Sequence, residues 1–232
     1  MTQATLDAHL NTFTATNDPV KAQIAETVRA FAAAAILVRK SINEGALGAA
    51  FAGTRGNANS GGDTQKELDV HADNLFLDAA RKAGIGYYAS EELANPVAIN
   101  ADSKIAVAID PLDGSSNIDT NVSIGTIFSI VPRREDAATT FSQPGSEQLA
   151  AGFFIYGPQM ALVLTKRNGT RIFVFSSRLG TFVEAYSSVT VAPMATEFAI
   201  NMSNYRHWDE TTRLYIDDCL AGMDGPREKD FN

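Results

Sequence analysis

A chain of 232 residues, 45% hydrophobic and 20% charged, is long enough to bury a core and too apolar to be disordered. Its net charge of −8 argues against a general binder of nucleic acid or anionic membrane, because phosphate backbones select basic surfaces; a phosphate substrate escorted by a metal ion stays open. The single cysteine, Cys219, excludes an internal disulfide and any multi-cysteine metal site, and a polar start with no bilayer-length apolar run points to a soluble, cytoplasmic protein.

Asn17-Asp18-Pro19 signals a helix start. Ile24, Val28, Phe31, Ala35, Val38 and Ile42 then recur at spacings of three and four, the stripe of a long amphipathic helix with Gly45 as its expected stop. Such a stripe suits packing on a sheet or a neighbouring subunit. Residues 53–63 (GTRGNANSGGD) read as a mobile loop; the glycines lack the Gly-Lys-Ser/Thr of a phosphate-binding loop. A second helix carries Leu68, Ala72, Leu75, Ala79 and Ala83 on one face and ends at Gly84. Short apolar runs at 86–89 and 105–109 predict strands, and those at 122–131, 149–156, 160–165, 171–175 and 181–186 an antiparallel meander, with Asn168-Gly169 as a hairpin signal. Residues 141–147 form an exposed connection. Asp209 is placed to cap a last helix with Thr212, Tyr215, Ile216, Cys219 and Leu220 on its face.

The chemistry concentrates in carboxylates. In Asp110-Pro111-Leu112-Asp113-Gly114-Ser115-Ser116, two acids lie three residues apart just after a buried strand. Pro111 and Gly114 predict a tight turn that aims both carboxylates and the Leu112 carbonyl at one point, as a hard cation such as Mg²⁺ requires. The backbone N–H groups and hydroxyls of Gly114, Ser115 and Ser116 suit a phosphate, above all if a helix starts there. Glu91-Glu92 follows the first short strand, and Asp63 and Asp69 flank the mobile loop and the second helix start. These six acids at element ends are an inventory for two or three divalent cations and a water-activating base. No Gly-x-Ser-x-Gly elbow is present, and of His9, His71 and His207, the one beside Asp69, His71, reads as structural or solvated.

The string DPLDGSSNIDTNVSIGTIFSI at 110–130 resembles the signature of class I fructose-1,6-bisphosphatases, within the Mg²⁺-dependent, lithium-sensitive phosphatase superfamily. Lys66-Glu67-Leu68-Asp69-Val70, Ser90-Glu91-Glu92, Ala150-Ala151-Gly152 with Tyr156-Gly157, and Asn201-Met202-Ser203-Asn204-Tyr205 support the resemblance over about residues 20–232. It implies an α/β (α+β) chain in a layered α-β-α-β-α sandwich, with residues 1–195 as the metal-binding domain and 196–232 as the start of an incomplete substrate domain. It implies that Glu91, Glu92, Asp110, Asp113 and the Leu112 carbonyl bind Mg²⁺, two or three ions per site, with Mn²⁺ as a possible substitute. Asp63 adds a ligand when its loop closes, and Asp69 and Glu92 orient and deprotonate the attacking water. Gly114, Ser115 and Ser116 hold the 1-phosphate, and Asn201 and Tyr205 belong to the 6-phosphate end. Members form homotetramers or dimers.

The family's chains continue well past the point where this one stops, so a fragment is expected. Segment 14–19 and Ser146, after Pro144-Gly145, depart from the family's AMP-binding pattern, where only Lys104 matches, so weak or absent AMP inhibition is expected. The resemblance implies hydrolysis of the 1-phosphate of fructose 1,6-bisphosphate. Alternatives are a sedoheptulose or dual-specificity bisphosphatase, or an inactive domain serving assembly.

Overall fold

The computed structural model describes residues 4–52, 61–118, 120, 122–195 and 197–231, with the side chains of 45–52 and 61–66 left aside. The chain divides into two compact units, Met1–Val189 and Thr190–Asn232.

The first unit opens with α1 (Leu6–Thr14), whose cap Thr5 accepts from the Ala8 N–H and whose two buried side chains are Leu6 and Leu10. Next comes α2 (Pro19–Ala52), started by Asp18, whose carboxylate accepts from the Val20 N–H at 2.9 Å. Ile24, Val28, Phe31, Ala35 and Val38 are buried along it as their spacing predicts. Gly45 does not end it: the backbone stays helical to Ala52. Each helical glycine, Gly45 and then Gly48, costs about 1 kcal/mol relative to alanine, and Ala46, Ala49 and Ala50 around them are the best helix formers available. α3 (Gly61–Ala83) begins inside the expected loop, so Asp63 lies in its first turn, with its side chain among those left aside; the rest of that loop, 53–60, falls outside the described residues. Gly84 ends α3 at φ +65°, a left-handed conformation that glycine adopts without steric cost. His71 ties α3 to α2, its Nε2 lying 3.1 Å from Ser41 Oγ.

Among the described residues eight strands form one sheet: β1 (Tyr87–Ser90), β2 (Val97–Ala98), β3 (Ile105–Asp113), β4 (Gly125–Pro132), β5 (Ala150–Tyr156), β6 (Met160–Thr165), β7 (Thr170–Ser176) and β8 (Thr181–Val189), in the order β2-β1-β3-β4-β5-β6-β7-β8. β4 to β8 are the antiparallel meander the sequence predicts. Gly169 (φ +75°) turns the β6–β7 hairpin. β1 and β3 run parallel. α4 (Ala137–Phe141), capped by Asp136, leads into the expected connection, which holds a 3₁₀ turn at Gly145–Glu147.

α2 and α3 cover one face of the sheet. Phe31, Phe76, Phe128, Phe154 and Phe182 are almost wholly buried there, their rings stacked edge to face or tilted at centroid distances of 5.3–6.5 Å. Gly152 has no side chain because a Cβ would meet the Phe128 ring at 2.8 Å. The opposite face holds an open groove of about 660 Å³ lined by Ala108, Ile127, Ser129, Ala151, Phe153 and Val163, with Glu91 and Asp110 also on its wall.

α1 is tied to the far edge of the sheet by an antiparallel bridge from Thr5 to Val183, and by a charged cluster. His9 Nε2 lies 2.6 Å from Lys166 Nζ, and Lys166 sits over the Phe13 ring at 4.2 Å. The ammonium has only protons to give, so the imidazole nitrogen is the acceptor. Burial, and then the charges of Lys166 and Arg171, lower the His9 pKa to about 4, with Glu184 opposing. An unfolded histidine titrates near 6.5, so the unfolded state binds more protons between about 6.5 and 4, and stability falls as pH falls through that window. In urea titrations, the wild type is expected to lose stability from pH 7 to 4.5 more steeply than His9→Gln. Parallel pH profiles would show that His9 does not matter.

The second unit holds a 3₁₀ turn, Met202–His207, and α5 (Glu210–Leu220), capped as predicted by Asp209 accepting from the Thr212 N–H at 2.8 Å. Ile216 and Cys219 are buried, whereas Tyr215 and Leu220, expected on the same face, are exposed. Among the described residues no helix is long and apolar enough to cross a membrane.

Candidate metal centre

The Asp110–Asp113 segment differs from the turn its proline predicts. β3 runs through it, and the pairing shifts: Asp110 faces Ile127 and Asp113 faces Gly125, so Pro111 and Leu112 together oppose Thr126. That is a β-bulge, one extra residue that bends a strand and re-aims its side chains. Proline fits there because it has no N–H to lose from the ladder. The Leu112 side chain is buried, its N–H donating to Asp110 Oδ1 at 3.2 Å, while Asp113 is exposed. The turn comes one residue later, at Gly114, with φ +79°. Ser115 opens a 3₁₀ turn, Ser115–Asn117, whose first N–H groups have no partner within it. This short turn replaces the helix start considered above.

Glu91 reaches Asp110 through the parallel pair. The Glu91 N–H donates to the Ile109 carbonyl at 3.1 Å, extending the β1–β3 ladder by one bond, and the two carboxyl groups are hydrogen-bonded. Burial, then Glu91, then the Asp113 charge push Asp110 up to about 7. Glu92 is exposed, and its N–H donates to Ser90 Oγ at 3.2 Å. From α3, Asp69 accepts through Oδ2 from the Ser115 hydroxyl at 3.3 Å. Its Oδ1 is buried without a hydrogen-bond partner among the described residues. Burial first, then the Glu91 charge, raise the Asp69 pKa, the Ser115 bond opposing them. One helical turn on, the buried Asp73 accepts from the Tyr88 hydroxyl at 2.8 Å, so α3 is bolted to β1.

Thus Asp69, Glu91, Asp110, Asp113 and Ser115 are brought together. Among the described residues, no three carboxylates, imidazoles or thiols surround a single point; like charges at this spacing repel one another. Asn201 and Tyr205 lie in the second unit. Asn201 caps the Ser203 N–H, and the Tyr205 hydroxyl donates to both oxygens of Asp217 at 3.0 and 3.1 Å. Sequence reasoning missed the Asp73–Tyr88 bolt and a hydroxyl pair, Thr126 and Tyr156, beneath the bulge. Their partners are distant in the chain, and the only local signal was a polar residue at an inward-facing strand position.

A cation suits this donor set. Among the described residues a buried carboxylate oxygen lacks a partner, and a neighbouring acid is held towards its protonated form by burial and by other acids; both gain from a hard positive charge bound through oxygen. Carboxylates at strand ends beside an N–H turn, on an α/β sheet, are the layout of a metal-dependent phosphatase. Comparison with known proteins narrows the class. Residues 1–187 match the family model described as "Fructose-1-6-bisphosphatase, N-terminal domain". The class 1 fructose-1,6-bisphosphatase of Rhizobium meliloti (strain 1021) is 58% identical over 236 positions, covering 100% of this chain and 68% of that protein. The one from Sinorhizobium medicae (strain WSM419) is 55% identical with the same coverage. The Leishmania major fructose-1,6-bisphosphatase in holo form, 22% identical, superposes with a TM-score of 0.83 over 100% of this chain and 71% of that one, which shows the shared fold. The chain belongs to the fructose-1,6-bisphosphatase family.

Proposed function

We infer that this chain hydrolyses the 1-phosphate of fructose 1,6-bisphosphate to fructose 6-phosphate and phosphate, as part of an enzyme whose relatives are longer. The observation that carries this reading is the 58% identity to a class 1 fructose-1,6-bisphosphatase across the whole chain.

In this reading Glu91, Glu92, Asp110, Asp113 and the Leu112 carbonyl hold Mg²⁺, with Asp63 as a further ligand and Mn²⁺ as a substitute. Bound divalent cations neutralise the phosphate dianion and acidify the attacking water. The protein supplies the rest. Asp69, half-buried and with one oxygen free of hydrogen-bond partners among the described residues, takes the proton of the water, assisted by Glu92. Its other oxygen is held by Ser115, whose backbone N–H, with those of Gly114 and Ser116, receives the 1-phosphate. One side chain therefore links the base to the phosphate cradle. Asn201 and Tyr205 serve the 6-phosphate end, for which Tyr205 must give up Asp217. A homodimer or homotetramer working in the cytoplasm belongs to the same reading.

The full-length protein is expected to release phosphate from fructose 1,6-bisphosphate, to stop when a chelator removes divalent cations, and to recover with Mg²⁺ or Mn²⁺. Phosphate release and product sugar phosphate are the measurements. Turnover that survives exhaustive chelation would refute the metal-assisted reading.

A further inference from the structure

The bulge that aims Asp110 and Asp113 creates a problem of its own. Two residues of β3 stand opposite one of β4, so the ladder cannot satisfy every backbone group there. Pro111 is buried, and its carbonyl would be an orphan acceptor. The Thr126 hydroxyl fills the gap, donating to the Pro111 carbonyl at 2.8 Å. Thr126 is fully buried, on the helix-covered face, at the position that opposes the bulge. Behind it stands Tyr156 at the end of β5, its hydroxyl 2.7 Å from Thr126 Oγ1. The Pro111 carbonyl can only accept, so the Thr126 proton goes to it and the Tyr156 phenol must donate to Thr126. Burial raises the Tyr156 pKa, which keeps that proton in place. Tyr156 is itself fixed by its N–H donating to the Ile124 carbonyl at 2.9 Å. The chain of bonds Tyr156–Thr126–Pro111 thus runs from the packed core to the peptide between Asp110 and Asp113.

We propose that Thr126 and Tyr156 are positioning residues for the metal centre: their relayed hydroxyls set the shape of the Asp110–Asp113 bulge and with it the cation affinity of the site. The proposal rests on the reading of Asp110 and Asp113 as metal ligands. Neither hydroxyl is bonded to a carboxylate of the site: Thr126 donates to the Pro111 carbonyl and Tyr156 to Thr126. Their influence passes through the backbone, as the partners that orient metal ligands commonly do, at a cost of about 10- to 100-fold in affinity when lost. Valine in place of Thr126 keeps the volume and the β-branch but leaves the Pro111 carbonyl and the Tyr156 hydroxyl unpaired. Serine keeps the donor. Phenylalanine in place of Tyr156 keeps the ring and removes only the far end of the relay.

The test is a calorimetric titration of Mn²⁺ into the full-length wild type and the variants Thr126→Val, Thr126→Ser and Tyr156→Phe, each shown to be folded by a cooperative thermal melt. The expected result is an affinity about 10- to 100-fold weaker for Thr126→Val and within about threefold of wild type for Thr126→Ser. Tyr156→Phe should fall between them, and the Mn²⁺ concentration for half-maximal activity should move in the same order. If Thr126→Val binds as tightly as wild type and only its melting temperature falls, the pair is structural and the proposal is overturned while the metal reading stands. If wild type itself does not bind Mn²⁺, the metal reading fails and takes the proposal with it. If Thr126→Val does not fold, Tyr156→Phe decides: weakened binding supports the relay, and unchanged binding overturns it.

Discussion

Replacing Asp110 with asparagine in the full-length enzyme should lower kcat/KM by about a thousandfold while making the metal-free protein more stable. Losing a group that merely orients a metal ligand costs about 10- to 100-fold; losing a ligand that also carries charge costs more. The stability gain follows from the neighbours. Asp110 is hydrogen-bonded to Glu91 and feels Asp113, and its pKa is raised to about 7 from an ordinary 3.8. The folded state therefore binds more protons than the unfolded state between those values, and its stability drops as pH rises through the window. Below about pH 4 the group is protonated in both states and contributes nothing. Asparagine removes the effect, so in the presence of a chelator the melting temperature of Asp110→Asn should match wild type near pH 4 and exceed it most by pH 8. Steady-state kinetics and thermal melts at these two pH values check both halves. A variant with wild-type activity, or one less stable at pH 8, would contradict the arrangement of acids described here.

The largest stability effect should come from Phe154→Ala. Phe154 is fully buried and touches three other rings, Phe76 at 6.5 Å, Phe128 at 5.8 Å and Phe182 at 6.0 Å. Those partners come from α3, β4 and β8, so the ring is where the helical layer and both sides of the meander meet. Truncating a buried phenylalanine costs about 3–5 kcal/mol, against about 5–15 kcal/mol for a whole domain. The adjacent Phe153 points to the open face and is 40% exposed, so Phe153→Ala should cost about 1 kcal/mol or less. Urea unfolding of the two variants measures the contrast. Equal losses would mean that the sheet's two faces are not distinguished as described.

Most of the architecture was legible because its signals are local. The stripe from Ile24 to Val38, the caps Asp18 and Asp209, and the apolar runs of the meander each act within a few residues and were not overruled. Where local signals were weak against their surroundings, the reading went astray. Gly45 carries a stop signal, but about 1 kcal/mol for it, and as much again for Gly48, is too small a penalty to halt α2 among so many helix formers. Pro111 breaks strands in general, yet in β3 the bulge gives it a place with no bond to lose. α1 escaped notice because its apolar face is only Leu6 and Leu10. At the candidate metal centre, the acids were visible as residue types at element ends. What holds them was not: the Asp73–Tyr88 bolt, the Ser115–Asp69 bond and the Thr126–Tyr156 relay join residues 15, 46 and 30 positions apart. Pairings of that kind are set by the fold, and nothing in the neighbourhood of either partner announces them.

The parallel pairing of β1 with β3 has a bearing on the order in which the molecule acquires its chemistry. Hairpins close quickly because their partners are near in sequence, and β4 to β8 can zip in this way. A parallel pair needs a crossover, here the segment from Ser90 to Ile105 that includes the edge strand β2. Only when it closes do the ends of β1 and β3 lie side by side and bring Glu91 to Asp110. A chain in which β3 had already joined β4 would display Asp110 and Asp113 and still lack Glu91 beside them. Repulsion among the acids opposes this closure, and a divalent cation held as proposed would favour it. A cation bound as proposed would then be a ligand of the finishing step as much as of the finished site.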